Sequence, residues 1–288
     1  MKILVTGGSG FLGSHVADEL TKKGHEVTIF DKTKSKWMNS KQKIILGNIL
    51  NFKSLQKAVK GKDVVYHFAA LGDIDMAMKS PKDTVKLNIL ATVNLLDLCE
   101  KNNIKRFVLA SSIYVNSIDG GFYRSSKKAA EDYIEEFNKI RGLKFTILRY
   151  GSLYGPRADK ANGVKTLIRD AIINKKASYI GNKNSIREYI HVKDAAQISA
   201  RILNSKYKNK HLILTGRKKI KVRELLKKII KILKIKKEII FYNKKDTGHY
   251  IKSPYTFKPK IGEKIANNKK TNFFNDIYQL IKEEKKNV

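Results

Sequence analysis

Short apolar runs alternate with amphipathic segments along the first half of this chain of 288 residues. The runs show no helical period, as buried strands do. The segments between them repeat apolar residues at three- and four-residue spacing, as helices with one buried face do. The pattern predicts strands at residues 3–5, 27–30, 44–46, 63–70, 105–110 and 145–149. It predicts helices at residues 12–20, 51–60, 81–102 and 124–140.

Strands that alternate with helices predict an α/β fold built on a doubly wound parallel sheet. Ligands of such sheets bind outside the carboxyl ends of the strands, so the candidate chemistry is expected there. In the helix at residues 81–102, the spacing predicts an inner face that consists of Val85, Ile89, Val93, Leu96 and Cys99.

The pattern loses its regularity after Tyr150. Helices are predicted at residues 164–174, 194–203 and 222–233, extended pieces at 179–181 and 187–191, and a strand that returns to the main sheet at 211–214. We predict a main domain of residues 1–152 with 189–216, and a smaller C-terminal cap of residues 153–188 with 217–288. The charged end of the cap, which includes Lys285 and Lys286, is predicted to fray.

A glycine-rich turn, Thr6–Gly13, joins the first strand to the first helix. Gly7 permits a tight turn, Gly10 lets backbone N–H groups approach a pyrophosphate, and Gly13 lets the helix pack closely on the strand. The helix N-terminus adds positive potential for phosphates, and Asp31 is placed to accept hydrogen bonds from ribose hydroxyls. These features predict the first unit of a dinucleotide-binding fold. The alternative is a glycine-rich turn in another kind of α/β protein.

Tyr123 and Lys127 lie four residues apart at the start of a predicted helix, so their side chains share one face. An ammonium group beside a phenol favours the phenolate, which makes Tyr123 a candidate general base near neutral pH. Ser112, at the end of the neighbouring predicted strand, can hydrogen-bond the same substrate oxygen. The alternative is a pair of solvent-facing helix residues.

The glycine spacing and the set of Ser112, Tyr123 and Lys127 resemble the short-chain dehydrogenase/reductase superfamily, in its extended branch that modifies nucleotide sugars. Three further segments resemble that branch: VVYHFAA at 64–70, LRYGSLYGPR at 148–157 and REYIHVKD at 187–194. The resemblance implies a Rossmann-type, NAD-binding sheet domain, a substrate-binding cap and 4-epimerisation through a transient 4-keto sugar. In that reaction Tyr123 takes the proton of the sugar 4-hydroxyl, Lys127 binds the nicotinamide ribose, and Ser112 holds the reacting oxygen.

The resemblance also implies the binding residues. Those for NAD are Gly7, Gly10, Phe11, Leu12, Gly13, Asp31, Lys32, Asn48, Ile49, Phe68, Ala69, Ala70, Asn88, Ser111, Tyr123, Lys127 and Tyr150. Those for the nucleotide sugar are Ser152, Arg157 and Arg187, of which Arg187 has a planar guanidinium suited to a diphosphate. His67 is implied to be a fold residue. No metal site is expected, because no second ligand follows His191 at a useful spacing.

Several positions depart from the family pattern. Asn48 stands where an aspartate usually contacts the adenine, and Ser152 replaces an asparagine that commonly contacts the diphosphate. No Asp-Glu pair follows Ser112, which counts against sugar dehydration. Residues 253–260 lack the second arginine that many members use on the nucleotide, and Lys252 or Lys258 is the expected substitute.

The charge of the chain is +34, from 60 basic and 26 acidic residues. The lysines are scattered and interrupt amphipathic helices, which favours solvated helix faces over a specific nucleic-acid surface. Asp31 opposes a 2′-phosphate and so favours NAD over NADP, although Lys32 and Lys34 soften that preference. The single cysteine, Cys99, is predicted to be buried, and no apolar run is long enough to cross a bilayer.

These observations predict a cytoplasmic enzyme that is not inserted in a membrane, since strand and glycine turn follow Met1-Lys2 directly. We expect a homodimer that pairs through the helices at residues 81–102 and 124–140. The expected substrate is a UDP-, dTDP- or GDP-linked sugar. The alternatives are an NAD(P)-dependent dehydrogenase or reductase that releases its product, and, from another class, a non-catalytic Rossmann protein that binds RNA.

Overall fold

The predicted strands form one central sheet in the computed structural model, which describes residues 1–236, 239–242, 248–251, 263–265 and 272–287. The strands are β1 (Lys2–Thr6), β2 (Glu26–Asp31), β3 (Gln42–Leu46), β4 (Val64–His67), β5 (Arg106–Ser112), β6 (Phe145–Tyr150), β7 (Ser152–Tyr154), β8 (Ser178–Ile180), β9 (Ile186–Arg187), β10 (Tyr189–His191), β11 (Lys210–Leu214), β12 (Ile220–Lys221), β13 (Ile240–Tyr242) and β14 (Glu263–Ile265). Eight of them pair in the order β3-β2-β1-β4-β5-β6-β11-β14, and every pairing is parallel. The predicted doubly wound sheet is confirmed.

The helices cover both faces of this sheet. They are α1 (Phe11–Lys22), α2 (Phe52–Val59), α3 (Ile74–Lys79), α4 (Pro81–Thr84), α5 (Ala91–Lys101), α6 (Gly121–Arg141), α7 (Gly163–Asn174), α8 (Val192–Arg201), α9 (Val222–Leu233) and α10 (Phe273–Lys286). Apolar residues of α1 and α8 pack on one face of the sheet, and those of α2, α5 and α6 pack on the other. Burial on both faces explains why the strands are continuous apolar runs.

The helix predicted at residues 81–102 is interrupted by a π-helical segment, Val85–Leu90, between α4 and α5. A π turn inserts one residue and rotates the helix face that follows. The predicted inner face is therefore wrong at its start: Val85 is 52% exposed, whereas Thr84 and Asn88 are buried. Cys99 is fully buried, as predicted.

Two helices were not predicted. The short α3 precedes α4, and α10 continues to Lys286, so the prediction of a frayed end with Lys285 and Lys286 is wrong. Ile277 and Ile281 of α10 are buried against α7 and α9 in a separate apolar cluster of the C-terminal part. That packing holds the helix in spite of its charged end.

The strand predicted at residues 211–214 does return to the sheet, as β11 beside β6. The edge strand β14 follows it in the sheet, although the predicted boundaries place its residues in the cap. Within the described ranges, no helix has the length and apolar character needed to cross a membrane.

Candidate functional site

The glycine turn after β1 is shaped by close backbone contacts. Gly7 has φ +71°, and a Cβ there would lie 2.5 Å from the backbone N of Ala69; a Cβ on Gly13 would lie 2.2 Å from the carbonyl oxygen of Gly7. The N–H of Gly10 donates to that same carbonyl at 3.1 Å. The turn therefore forms a cradle that only glycine permits, at the N-terminus of α1, as the sequence predicts.

Asp31 ends β2 beside this turn. Its carboxylate accepts hydrogen bonds from the backbone N–H of Ser9 at 3.0 Å and of Thr33 at 3.2 Å. The Ser9 hydroxyl in turn donates to the Thr33 carbonyl at 2.7 Å. The Thr33 hydroxyl also donates to Oδ1 of Asp31 at 3.4 Å. Asp31 therefore fixes the turn and the loop after β2, and its Oδ2, which accepts only from Ser9, keeps a lone pair for a further donor. Lys32 is exposed beside it.

The end of β4 lies against the glycine turn. The N–H of Phe68 donates to the Thr6 carbonyl at 2.9 Å, and the N–H of Ala69 reaches the Thr6 hydroxyl at 3.4 Å. The structure thus brings the predicted residues Gly7, Phe68 and Ala69 together. Ala70 follows and is half-buried, as are Phe11 and Leu12 at the start of α1.

Asn88, in the π-helical segment, anchors the chain just beyond this point. Its side-chain oxygen accepts from the Leu71 N–H at 2.7 Å, and its amide donates to the Leu71 carbonyl at 3.1 Å and to the Ser126 hydroxyl at 2.9 Å. Asn88 therefore ties the end of β4 to α6. The extra residue of the π turn is what buries its side chain.

Of the remaining predicted cofactor residues, one is exposed after β3 and the others lie in the core. Asn48 is exposed after β3, with its side-chain oxygen on the Leu50 N–H at 3.0 Å, and Ile49 belongs to the core. The hydroxyl of Tyr150 hydrogen-bonds the Ser199 hydroxyl at 2.7 Å, in the core beneath the Phe68 ring. Burial raises the pKa of Tyr150, so this phenol stays neutral.

The three predicted catalytic side chains meet at the carboxyl end of β5. The Ser112 side chain lies close enough to the Tyr123 phenol to lower the pKa of that phenol. Lys127, which is 5% exposed, donates from Nζ to the carbonyl of Ala110 at 2.8 Å. β5 therefore supplies the serine and the anchor for the lysine, and the first turns of α6 supply the tyrosine and the lysine.

Burial controls the protonation of this set. It lowers the pKa of Lys127 to about 8, although the negative charge of Glu131 opposes the shift. It raises the pKa of Tyr123, and the nearby Ser112 side chain only partly offsets that rise. Burial of the Tyr123 side chain therefore favours the neutral phenol.

A buried ion pair lies behind the catalytic set. Glu131, one helical turn after Lys127, is fully buried and its Oε2 lies 2.6 Å from Nη2 of Arg149 on β6. Its Oε1 accepts from the Ser111 hydroxyl at 2.5 Å. The predicted cofactor residue Ser111 thus turns its side chain away from Ser112 and joins β5 to α6.

Two of the predicted substrate residues lie close to one aromatic side chain. The hydroxyls of Ser152 and Tyr250 are 3.3 Å apart, and the guanidinium of Arg187 lies over the Tyr250 ring at 4.2 Å. Arg187 is buried and also donates to the Ile186 carbonyl at 3.0 Å. Arg157 lies elsewhere: it pairs with Asp18 of α1 at 2.9 Å.

Arg157 lines a cavity of about 640 Å³ between the loop after β2 and helices α7 and α10. Ser9, Thr33 and Trp37 form one side of it, and Lys165 and Glu284 the other. The Arg157 guanidinium stacks on the Trp37 ring at 5.3 Å. This predicted substrate residue therefore lies beside the loop that follows Asp31.

Sequence reasoning missed the aromatic wall, which we define as Tyr114, His249 and Tyr250. The Tyr114 ring meets the Tyr123 ring edge-on at 6.2 Å and lies 4.8 Å from the Tyr250 ring. Its hydroxyl and Nδ1 of His249 are 2.8 Å apart. Tyr114 stands two residues after Ser112, a signal that could have identified it; His249 and Tyr250 gave no local signal.

The two histidines discussed from sequence have structural partners. His67 is buried, with Nδ1 2.7 Å from the Thr6 hydroxyl and Nε2 3.0 Å from the Thr92 hydroxyl, and burial lowers its pKa to about 3. His191 caps α8 through its ring, which accepts from the Lys193 N–H at 3.3 Å. In the part of the chain that the structure describes, no cluster of metal-ligating side chains occurs. Lys252 and Lys258 lie outside the described residues.

Comparison with known proteins assigns this chain to a family. The model of the NAD dependent epimerase/dehydratase family matches residues 3–214. The chain belongs to this family. A provisionally assigned UDP-glucose 4-epimerase of Methanocaldococcus jannaschii is 31% identical over 247 residues, which cover 77% of this chain and 79% of that protein. A UDP-N-acetyl-alpha-D-glucosaminuronate decarboxylase of Bacillus cytotoxicus is 31% identical over 231 residues, or 71% and 72% of the two chains.

Solved structures of the epimerase/dehydratase family share the whole fold. The UDP-N-acetylglucosamine 4-epimerase of Methanobrevibacter ruminantium superposes with a TM-score of 0.84 at 25% identity, over 100% of this chain and 99% of that one. The UDP-glucuronic acid 4-epimerase of Bacillus cereus, solved with NAD, gives 0.86 at 22% identity, over 99% and 100%. Family membership makes this chain an enzyme and assigns NAD as its cofactor. The residues present fit that group, because the closely packed glycine turn lies at the N-terminus of α1 and the Asp31 carboxylate lies beside it.

Proposed function

We propose that this protein is an NAD-dependent nucleotide-sugar 4-epimerase. The observation that carries the proposal is the meeting of Ser112, Tyr123 and Lys127 at one end of β5. That end lies on the carboxyl edge of the sheet, where the glycine cradle also lies. Proteins similar to this chain include UDP-glucose 4-epimerases. A UDP-linked sugar is therefore the first substrate to test.

Each side chain of the site has a separate role in the proposed reaction. Tyr123 accepts the proton of the sugar 4-hydroxyl and returns it at the end of the cycle, while Ser112 holds the same oxygen. Lys127 stays near its ammonium form below about pH 8 and favours the Tyr123 phenolate. Arg187 binds the substrate diphosphate, with Ser152 close by. When bound, NAD supplies a reversible acceptor for the hydride at C4.

The predicted NAD-binding residues keep their roles in this proposal. Gly7, Gly10 and Gly13 receive the pyrophosphate at the start of α1, and Asp31 receives the ribose. Asn88 and Ser111 act through their contacts, since their side chains hold β4 and β5 to α6. Arg157 contributes at the cavity beyond the ribose rather than at the diphosphate.

Dehydration is less well supported, although dehydratases occur among the relatives. Ile113 and Tyr114 follow Ser112, so the chain has no carboxylic acid there to expel a hydroxyl group from the sugar. The nearest rival is an oxidoreductase that uses the same proton and hydride steps and releases the oxidised sugar. The two differ only in whether that sugar stays bound until the hydride returns.

A thermal-shift panel followed by product analysis tests the proposal. NAD and NADP are each added in excess, alone and with UDP-glucose, UDP-N-acetylglucosamine, dTDP-glucose or GDP-mannose. A ligand of the folded state raises the melting temperature. A shift with NAD and one sugar nucleotide, followed by formation of its C4 epimer, supports the proposal. Binding of RNA with no shift for any cofactor or sugar would instead favour the RNA-binding alternative.

We also propose a homodimer located in the cytoplasm. The single cysteine is buried and fits a reducing compartment. Outward-facing apolar residues of the π-helical segment and of α6 fit a self-complementary interface; they are Val85, Leu90, Phe122 and Ile140.

A further inference from the structure

We infer that the aromatic wall of Tyr114, His249 and Tyr250 retains the oxidised sugar in the site, and that the bond between Tyr114 and His249 determines whether the enzyme epimerises or releases its keto sugar. This inference rests on the proposed 4-epimerase function. It assigns a binding role to three residues outside the catalytic set.

The first argument is position. The wall connects the two groups proposed to hold opposite ends of the sugar, namely Tyr123 at the 4-oxygen and Arg187 at the diphosphate. Successive ring contacts lead from Tyr123 to Tyr114 at 6.2 Å, from Tyr114 to Tyr250 at 4.8 Å, and from Tyr250 to the Arg187 guanidinium at 4.2 Å. A sugar ring held at both ends passes along this row.

The second argument is chemistry. A sugar that must present both faces to one hydride acceptor has to turn while its diphosphate stays bound. Aromatic rings bind the C–H face of a sugar without directional hydrogen bonds, so they permit that turn. They also exclude water from the oxidised carbon. A wall of three rings therefore suits retention of the sugar better than a fixed set of polar groups does.

The third argument is connectivity. Tyr114 belongs to the short 3₁₀ turn after β5, whereas His249 and Tyr250 belong to the C-terminal part of the chain, 135 residues further on in the case of His249. The bond between Tyr114 and His249, at 2.8 Å, joins the two parts beside Tyr123. The N–H of Ile186 also donates to the carbonyl of Ile251 at 2.7 Å, which holds the same segment near Arg187.

The fourth argument concerns the charge of the wall. Burial raises the pKa of Tyr114 well above its ordinary value and lowers the pKa of His249. Both groups are therefore neutral near pH 7, and the bond between them is a neutral hydrogen bond. Removal of either partner leaves no buried charge behind, so Y114F and H249Q loosen the wall at the cost of one neutral hydrogen bond.

The experiment measures whether a turnover ends in the C4 epimer or in released keto sugar. Enzyme with bound NAD is incubated with UDP-glucose and hydroxylamine, and mass spectrometry counts the trapped keto sugar against the C4 epimer. We expect Y114F and H249Q to raise the ratio of keto sugar to epimer by about fivefold or more, the factor that corresponds to one lost hydrogen bond. Release of the keto sugar breaks no bond of the sugar; the hydride simply remains on the cofactor.

The matched control is Y133F, which removes a phenol from the exposed face of α6, where Tyr133 is 47% exposed. Ratios in both Y114F and H249Q that lie within about twofold of the ratio in Y133F overturn the inference, because the loss of one hydrogen bond corresponds to a factor of more than about two. Larger ratios in both variants support it, and an increase in only one of them also overturns it, because each substitution removes the same bond. If the wild-type enzyme forms no epimer from any sugar nucleotide of the panel, the proposed function itself fails, which is a separate outcome.

Discussion

The guanidinium of Arg149 and the carboxylate of Glu131 form an ion pair at 2.6 Å, and neither side chain is more than 5% exposed. Glu131 lies one turn beyond Lys127 on α6, and Arg149 lies opposite Ser111 in the β5–β6 register. The pair therefore joins the helix that carries Tyr123 and Lys127 to the strands beneath it. The contact therefore helps to hold the proposed catalytic residues of α6 against β5.

We expect Glu131→Gln to lower the free energy of unfolding by about 3–5 kcal/mol, because it leaves the Arg149 charge buried without its partner. Urea denaturation measures the change. The matched control is Asp132→Asn, which breaks the exposed pair of Asp132 with Lys128 on the same helix. That substitution should cost less than about 1 kcal/mol. Equal costs for the two variants would contradict a structural role for the buried pair.

Tyr123→Phe should lower kcat by about 10²- to 10⁴-fold, the range for loss of a general acid–base group. The variant should bind NAD within about twofold of wild type, because the glycine cradle and Asp31 are untouched. Epimer formation and NAD titration measure the two effects. The idea that Tyr123 is the base fails if the variant keeps near-wild-type turnover.

Gly13→Ala should weaken NAD binding by about tenfold or more, or prevent stable folding, since its new Cβ would lie 2.2 Å from the Gly7 carbonyl oxygen in the cradle. Gly163→Ala provides the control. Gly163 opens α7, and an added Cβ there meets no atom within 4 Å. We expect G163A to bind NAD as the wild type does. If both variants bind equally, the cradle does not determine cofactor affinity.

His67 should lower the free energy of unfolding of the protein at acidic pH. Burial lowers its pKa from 6.5 to about 3 in the folded state, so only the unfolded state binds a proton between these values. Stability is fully present above pH 6.5 and falls as the pH decreases towards 3. Between about pH 7.5 and about pH 5, the wild type should lose about 2 kcal/mol more than His67→Gln does. Urea denaturation of both proteins at the two pH values measures these losses. Equal losses for the wild type and His67→Gln would show that the pKa of His67 does not fall on folding.

Leu90→Glu should convert the proposed dimer to a monomer. Leu90 is 49% exposed at the end of the π-helical segment, and a carboxylate in an apolar interface between two copies would be desolvated without a partner. Light scattering after size-exclusion chromatography measures the mass. Lys101→Glu on the polar side of α5 is the control and should leave the mass unchanged. A monomeric wild type would refute the dimer.

The sequence by itself determined most of the sheet domain. The period of apolar residues identified seven of the eight strands of the sheet and the helices between them, because burial of both sheet faces leaves a local pattern. The glycine cradle, the place of Asp31 beside it and the proximity of Ser112 to Tyr123 were also predictable from the sequence. Each depends on residues within one strand–turn–helix unit, or on two elements that parallel strands bring to the same edge.

Tertiary structure alone decided the rest. The spacing gave no sign of the π turn that buries Asn88, because an inserted residue shifts the helix face without changing composition. Arg157, which lies in a segment that resembles a substrate loop, forms an ion pair with Asp18. The Tyr114 hydroxyl hydrogen-bonds His249, which lies 135 residues further along the chain. Such contacts depend on how the C-terminal part packs against the sheet. That packing comes from the sum of many weak apolar contacts and leaves no short motif in the chain.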